Sequence, residues 1–213
     1  MDFALAPDLF LLRDEIRTFM DARVLPKEND IIREDGAGED GALKELQQEA
    51  RKAGLFVPHL PAEYGGRGLG ILGMCTLFRE MGRSPVGARV FNCDAPDQGN
   101  MDLLLGAASP ALQERYLRPL VQGEVRSCFA MSEPHPGAGS DPAALMTAAR
   151  RVDGGWVIDG DKRFISGADG AAFAIAMART PQGATMFLVE DDNPGFQVGR
   201  RMPATDTVFA GGH

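Results

Sequence analysis

Up to about residue 126 the apolar positions repeat every three to four residues; beyond it they come in short runs broken by turn residues. Leu9, Leu12, Ile16 and Phe19 share one face of a first predicted helix. It should end before Pro26, because proline lacks an N–H and crowds the preceding turn. Residues 27–41 are polar and glycine-rich and read as a loop. Asp40 is a candidate N-cap for a second helix, with Leu43, Leu46, Ala50 and Ala53 on one side and Gly54 as its stop. A third helix carries Met74, Leu77, Phe78 and Met81 and closes at Gly82; a fourth covers Pro96–Gly106. Ser109-Pro110 has the N-cap and N1 pattern of a fifth. Leu112, Tyr116 and Leu120 should face inward there, and Pro119 should distort or end the last turn.

The second region predicts strands at Ser127–Glu133, Leu145–Val152, Trp156–Asp159, Lys162–Ser166, Phe173–Arg179 and Thr185–Glu190, with another starting at Phe196–Arg201. Asp153-Gly154-Gly155 has the composition of a hairpin turn, and Pro181-Gln182-Gly183 of a turn. Helices followed by strands make an α+β chain, divided here into a helical domain over 1–126 and a β domain over 127–213.

The net charge of −8, from 30 acidic and 22 basic residues without a basic cluster, argues against nucleic acid or an anionic membrane as partner. No apolar run approaches the length of a membrane span, so no membrane insertion is expected. Cys75, Cys93 and Cys128 are odd in number and lack a CxxC spacing. That argues against a disulfide framework or a zinc site and for a reducing, cytoplasmic compartment. Gly68-Leu69-Gly70-Ile71-Leu72-Gly73 matches GxGxxG, but a dinucleotide site needs a buried strand before it, and Pro61–Gly66 is not one. His59 lies in an apolar connector and Cys93 reads as a small buried hydrophobe.

Two segments carry possible chemistry. Phe129–Asp141 runs from an apolar, sulfur-bearing strand through Met131-Ser132-Glu133-Pro134 into Gly137-Ala138-Gly139-Ser140-Asp141. Such a Gly/Ser turn offers backbone N–H groups to an anionic ligand, although on the residues alone it reads rather as a surface turn between strands. Asp159–Ala168 contains Lys162-Arg163-Phe164-Ile165-Ser166, where strand alternation would set an aromatic ring and a hydroxyl on one face. Alone, that is also what a plain sheet face looks like.

Together the two segments closely resemble the acyl-CoA dehydrogenase family. The first matches its strand ending in Ser/Thr-Glu-Pro followed by Gly-Ser-Asp. The second matches its Asp-Gly-x-Lys-x-aromatic-Ile-Ser pattern, with Phe164 where the family more often has tryptophan. Leu60–Gly66 and Phe91–Met101 resemble helical-domain segments of the same family, so the likeness covers nearly the whole chain. It implies a helical domain followed by an antiparallel, barrel-like middle domain that binds FAD. Phe129, Met131 and Ser132 would lie along the flavin. Gly139 and Ser140 would meet the phosphate side and the acyl-CoA, and Phe164, Ile165 and Ser166 would contact the ring from the next segment.

The implied activity is α,β-dehydrogenation of an acyl-CoA thioester, as in β-oxidation of fatty acids. Electron-transfer flavoprotein or a similar acceptor, and homo-oligomer formation of the complete protein, are implied with it. The family's catalytic base lies in a C-terminal helical domain, so no residue of this chain is nominated, and a chain of this length is expected to be inactive alone. A non-catalytic FAD- or CoA-binding subunit, and a flavin oxidase or monooxygenase of the same fold, stay open as alternatives.

Overall fold

Leu12, Ile16, Met20 and Val24, spaced four apart, and then Ile31, seven further on, form one buried stripe that runs past the expected helix end. The computed structural model, which describes residues 4–137 and 139–200, shows how. Helix α1 (Pro7–Phe19) passes into a π-helical turn, Met20–Val24, and on into α2 (Leu25–Gly36). The predicted stop before Pro26 and the predicted loop over 27–41 are thus both corrected. In the wider turn the Leu25 N–H donates to the Met20 carbonyl, which loosens the ladder where proline has no N–H and would crowd the previous turn. Pro119 is met in the same way. Helix α7 (Pro110–Leu112) is followed by a π turn over Gln113–Leu117, in which the Arg118 N–H reaches the Gln113 carbonyl, and then α8 (Arg118–Val121).

The remaining helices are α3 (Gly41–Lys52), α4 (Ile71–Met81), α5 (Gly87–Val90) and α6 (Asp97–Ala107). Leu43, Leu46 and Ala50 of α3 are buried, but Ala53 is exposed as the C-cap. The start of α3 is capped by Glu34, whose carboxylate accepts from the Ala42 N–H at 2.7 Å, while Asp40 pairs with Lys44. Glu80, buried on α4, ties that helix to α1 by accepting two bonds from Arg17, at 2.7 and 3.1 Å. Tyr116 and Leu120 point inward as expected, whereas Leu112 is exposed. The GxGxxG segment leads into α4 with Gly70 as its N-cap, and no strand precedes it. The Gly65-Gly66 turn is steric in origin: a Cβ on Gly66 would lie 2.0 Å from the Leu60 carbonyl oxygen.

The chain divides into two units between Gly123 and Glu124. The second contains β1 (Ser127–Ala130), β2 (Ala148–Val152), β3 (Gly155–Asp159), β4 (Phe173–Thr180) and β5 (Gly183–Glu190). Central β4 pairs antiparallel with β5 along its whole length, parallel with β1 over Phe173–Ala176, and touches β2 at Arg179. β2 and β3 form an antiparallel hairpin across Asp153-Gly154.

The sheet is therefore mixed and, over the described residues, not closed into a barrel, which corrects the antiparallel barrel expected from the sequence. A hairpin and a long irregular segment separate β1 from β4, and a long crossover permits a parallel pair where a tight turn would not. Lys162–Ser166 is not a strand: Phe164 has φ +60°, which breaks any extended run. Residues 196–200 are likewise irregular. Arg201, and the chain end with His213, lie outside the described residues. Cys128 and Ala130 of β1 and Ala174 of β4 form a buried cluster with Ala171 and Ile165, small side chains apart from the isoleucine.

Candidate functional site

Beyond Ala130 the chain leaves β1 and its pairing with β4, and its backbone is held by another segment. The Arg163 N–H donates to the Ser132 carbonyl at 2.9 Å, and the Lys162 ammonium donates to the Met131 carbonyl at 3.0 Å. The two predicted ligand segments are thus side by side, linked one residue away from Phe164. Phe129, paired with Ile175, is half-buried, as are Met131 and Ser132. Gly139 folds back on the same strand, its carbonyl accepting from the Glu133 N–H at 2.9 Å. It has φ +58°, a conformation that suits glycine, and with Ser140 it is exposed.

Phe164 stands out of the surface, 56% exposed, with the Arg163 guanidinium 4.4 Å from its ring centroid. Ile165 points the opposite way into the small-residue core, and Ser166 is exposed. The alternation argument that put Phe164 and Ser166 on one strand face therefore does not apply; the left-handed turn at Phe164 presents the ring instead.

The group that organises these segments is Glu133, which the sequence showed only as part of a motif. Its side chain is buried and accepts from the Met146 N–H at 2.7 Å, the Thr147 N–H at 2.9 Å and the Lys162 ammonium at 3.0 Å. Burial alone would raise the Glu133 pKa, but donors from Thr147, Met146 and Lys162 prevail and hold the carboxyl well below its usual range. Burial also lowers the Lys162 pKa, and Glu133 opposes that fall. Two glycines make the approach possible. A Cβ on Gly137 would sit 2.7 Å from a Glu133 carboxylate oxygen, and one on Gly160 would sit 2.4 Å from the Thr147 hydroxyl. Met146, Thr147 and Lys162 were not foreseen as partners. The sequence carries no local signal for the pairing, because Lys162 has Asp161 and Arg163 as its immediate neighbours.

An exposed aromatic face, a neighbouring hydroxyl-bearing strand and an exposed Gly-Ser turn fit a flat cofactor with an anionic tail. No group of His, Cys, Asp and Glu among the described residues is arranged to hold a metal ion. In the helical unit, Cys93 lies 3.7 Å from the His59 ring, and burial pushes the thiol up and the imidazole down, so both are neutral.

The model for the N-terminal domain of acyl-CoA dehydrogenases matches residues 7–124, and that for the middle domain matches 128–208. The chain belongs to the acyl-CoA dehydrogenase family. It is 33% identical to (R)-benzylsuccinyl-CoA dehydrogenase of Thauera aromatica over 95% of this chain and 53% of that one. A Mycobacterium abscessus protein assigned as an acyl-CoA dehydrogenase superposes with a TM-score of 0.86 at 33% identity, over 99% of this chain and 57% of the other. Glutaryl-CoA dehydrogenase of Mycobacterium smegmatis, solved in complex with FADH2, gives a TM-score of 0.71 at 25% identity, over 93% and 50%. The chain spans about half or less of the length of curated relatives that it matches.

Proposed function

We propose that this chain supplies the flavin-facing half of an FAD-dependent acyl-CoA dehydrogenase. The observation that carries the reading is the junction of the Met131-Ser132 and Lys162–Ser166 segments, made by the Arg163 N–H on the Ser132 carbonyl. Bound FAD would supply the hydride-accepting chemistry. The Ser132 hydroxyl and the flanking backbone would orient the polar edge of the ring, with Phe129 and Met131 along it. Phe164 and Ser166 would bound it from the neighbouring segment, and Gly139 and Ser140 would meet the phosphate and acyl-CoA side. Ile165 serves as the buried anchor of its segment.

Glu133 is excluded as the base that removes the α-proton. Its oxygens already hold two backbone N–H groups and an ammonium, and its carboxyl is held at a low pKa, so it is a poor proton acceptor. The base is assigned to sequence outside the residues described, and electron-transfer flavoprotein or a similar acceptor would reoxidise the flavin of an oligomeric enzyme. The test is a visible spectrum of the purified full-length protein, followed by anaerobic addition of acyl-CoA esters. Flavin bands that bleach with an acyl-CoA support the reading; a colourless protein that takes up no added FAD sinks it.

A further inference from the structure

Phe164 combines two properties that rarely coincide. Its backbone is left-handed at φ +60°, which is strained for a residue with a Cβ, and its ring is more exposed than buried, so its own packing does little to enforce that shape. The enforcement comes from its neighbours. On one side Ile165 is driven into the core beside Cys128 and Ala174. On the other, Lys162 is fixed between the Met131 carbonyl and the Glu133 carboxylate, both at 3.0 Å, with the Arg163 N–H on Ser132. Glu133 in turn holds the Met146 and Thr147 amides. One ion pair therefore joins the strand that carries Ser132, the segment entering β2, and the segment that carries Phe164.

We propose that Glu133 and Lys162 are positioning residues for the flavin. Their pair fixes the Met131-Ser132 backbone against Arg163 and, with the Ile165 anchor, forces Phe164 to present its ring. Neither takes part in proton transfer. This role rests on the flavin reading above, and it extends that reading from the groups expected to touch the cofactor to the pair that sets their spacing.

FAD titration of the full-length protein tests it, read by flavin fluorescence and by the shape of the long-wavelength flavin band, with far-UV circular dichroism as a check on folding. Glu133→Gln and Lys162→Met should each weaken FAD binding on the order of tenfold and broaden the band, because a loosened supporting shell misplaces the groups it holds. Lys162→Arg, which keeps a cationic donor, should recover most of the affinity and the band shape. A folded Glu133→Gln protein with parental affinity and band shape overturns the positioning role and leaves the flavin reading standing. Should Glu133→Gln fail to fold, the lysine variants decide, and equal affinity in Lys162→Met and Lys162→Arg overturns the role. A parent protein that binds no FAD overturns the flavin reading, and the positioning role with it.

Discussion

The helical and β units keep their shape by different means. In the helical unit a regular apolar stripe dominates, and departures from regularity are absorbed locally. Both prolines that interrupt a helix are preceded by a π turn, and the buried stripe of Leu12, Ile16, Met20 and Val24 continues through one of those turns. The β unit buries Phe173, Ile175 and Met177 on its central strand, but the cluster that receives Ile165 is otherwise of small side chains, and the irregular segments are joined by a buried ion pair. A stripe degrades gradually when trimmed. A buried pair leaves an uncompensated charge when one member is removed. The candidate site thus stands on the more brittle of the two supports.

The largest effect should come from breaking that support. Glu133→Ala strands the Lys162 ammonium and two backbone N–H groups, and removing one partner of a buried pair costs about 3–5 kcal/mol. The only tryptophan, Trp156, lies in the β unit, so its fluorescence reports that unit, while the 222 nm circular dichroism signal is weighted to the helices. Denaturant unfolding should show an earlier fluorescence transition with little change at 222 nm. Coincident shifts of both signals would mean that the two units unfold together. The reciprocal probe is Ile16→Ala. Ile16 is fully buried, and truncating such a side chain costs about 2–5 kcal/mol. Here the 222 nm transition should move first.

Acid should separate the units in the same direction. The Glu133 pKa is depressed in the folded state, so its contribution is fully present above the ordinary carboxylate value of about 4.3 and is lost as pH falls below that value. Glu80, held low by its hydrogen bonds from Arg17, has the same sign in the helical unit, but that arginine is about half exposed and its pairing is screened by solvent. Fluorescence-detected stability of the β unit should therefore fall more steeply below pH 4.3 than the helical signal, and Glu133→Gln should flatten that fall. An unchanged slope in Glu133→Gln would show that other carboxylates govern the acid response.

The same contrast explains what was legible in the sequence. Helices α1, α3, α4 and α6, the start of α7 at Pro110, the β2–β3 hairpin and strands β4 and β5 follow from periodicity and turn composition, which are local. Pro26 misled because a proline was taken as a stop when the apolar spacing on either side of it already matched one continuous stripe. The irregular segment over 162–166 was hidden for the opposite reason. Lys-Arg-Phe-Ile-Ser alternates like a strand, and only the non-local pull of Glu133 on Lys162 and of the core on Ile165 turns Phe164 left-handed. The resemblance to acyl-CoA dehydrogenases named the two segments that lie together. It did not reveal that Glu133 joins them, because its partners at 146, 147 and 162 come from two other stretches of chain.

The smallest effect is the most discriminating. Alanine ordinarily exceeds glycine in ordered backbone, because glycine loses more freedom on folding. At φ +60° the order should invert, since a Cβ is disfavoured there and glycine is not. Phe164→Gly and Phe164→Ala lose the same ring and the same contact with Arg163, so their difference isolates the backbone term. The glycine variant should be more stable than the alanine variant by about 1 kcal/mol in the fluorescence transition, with FAD binding weakened in both. If alanine is the more stable of the two, Phe164 is not held in a left-handed turn, and the argument that its neighbours force the ring outward loses its basis.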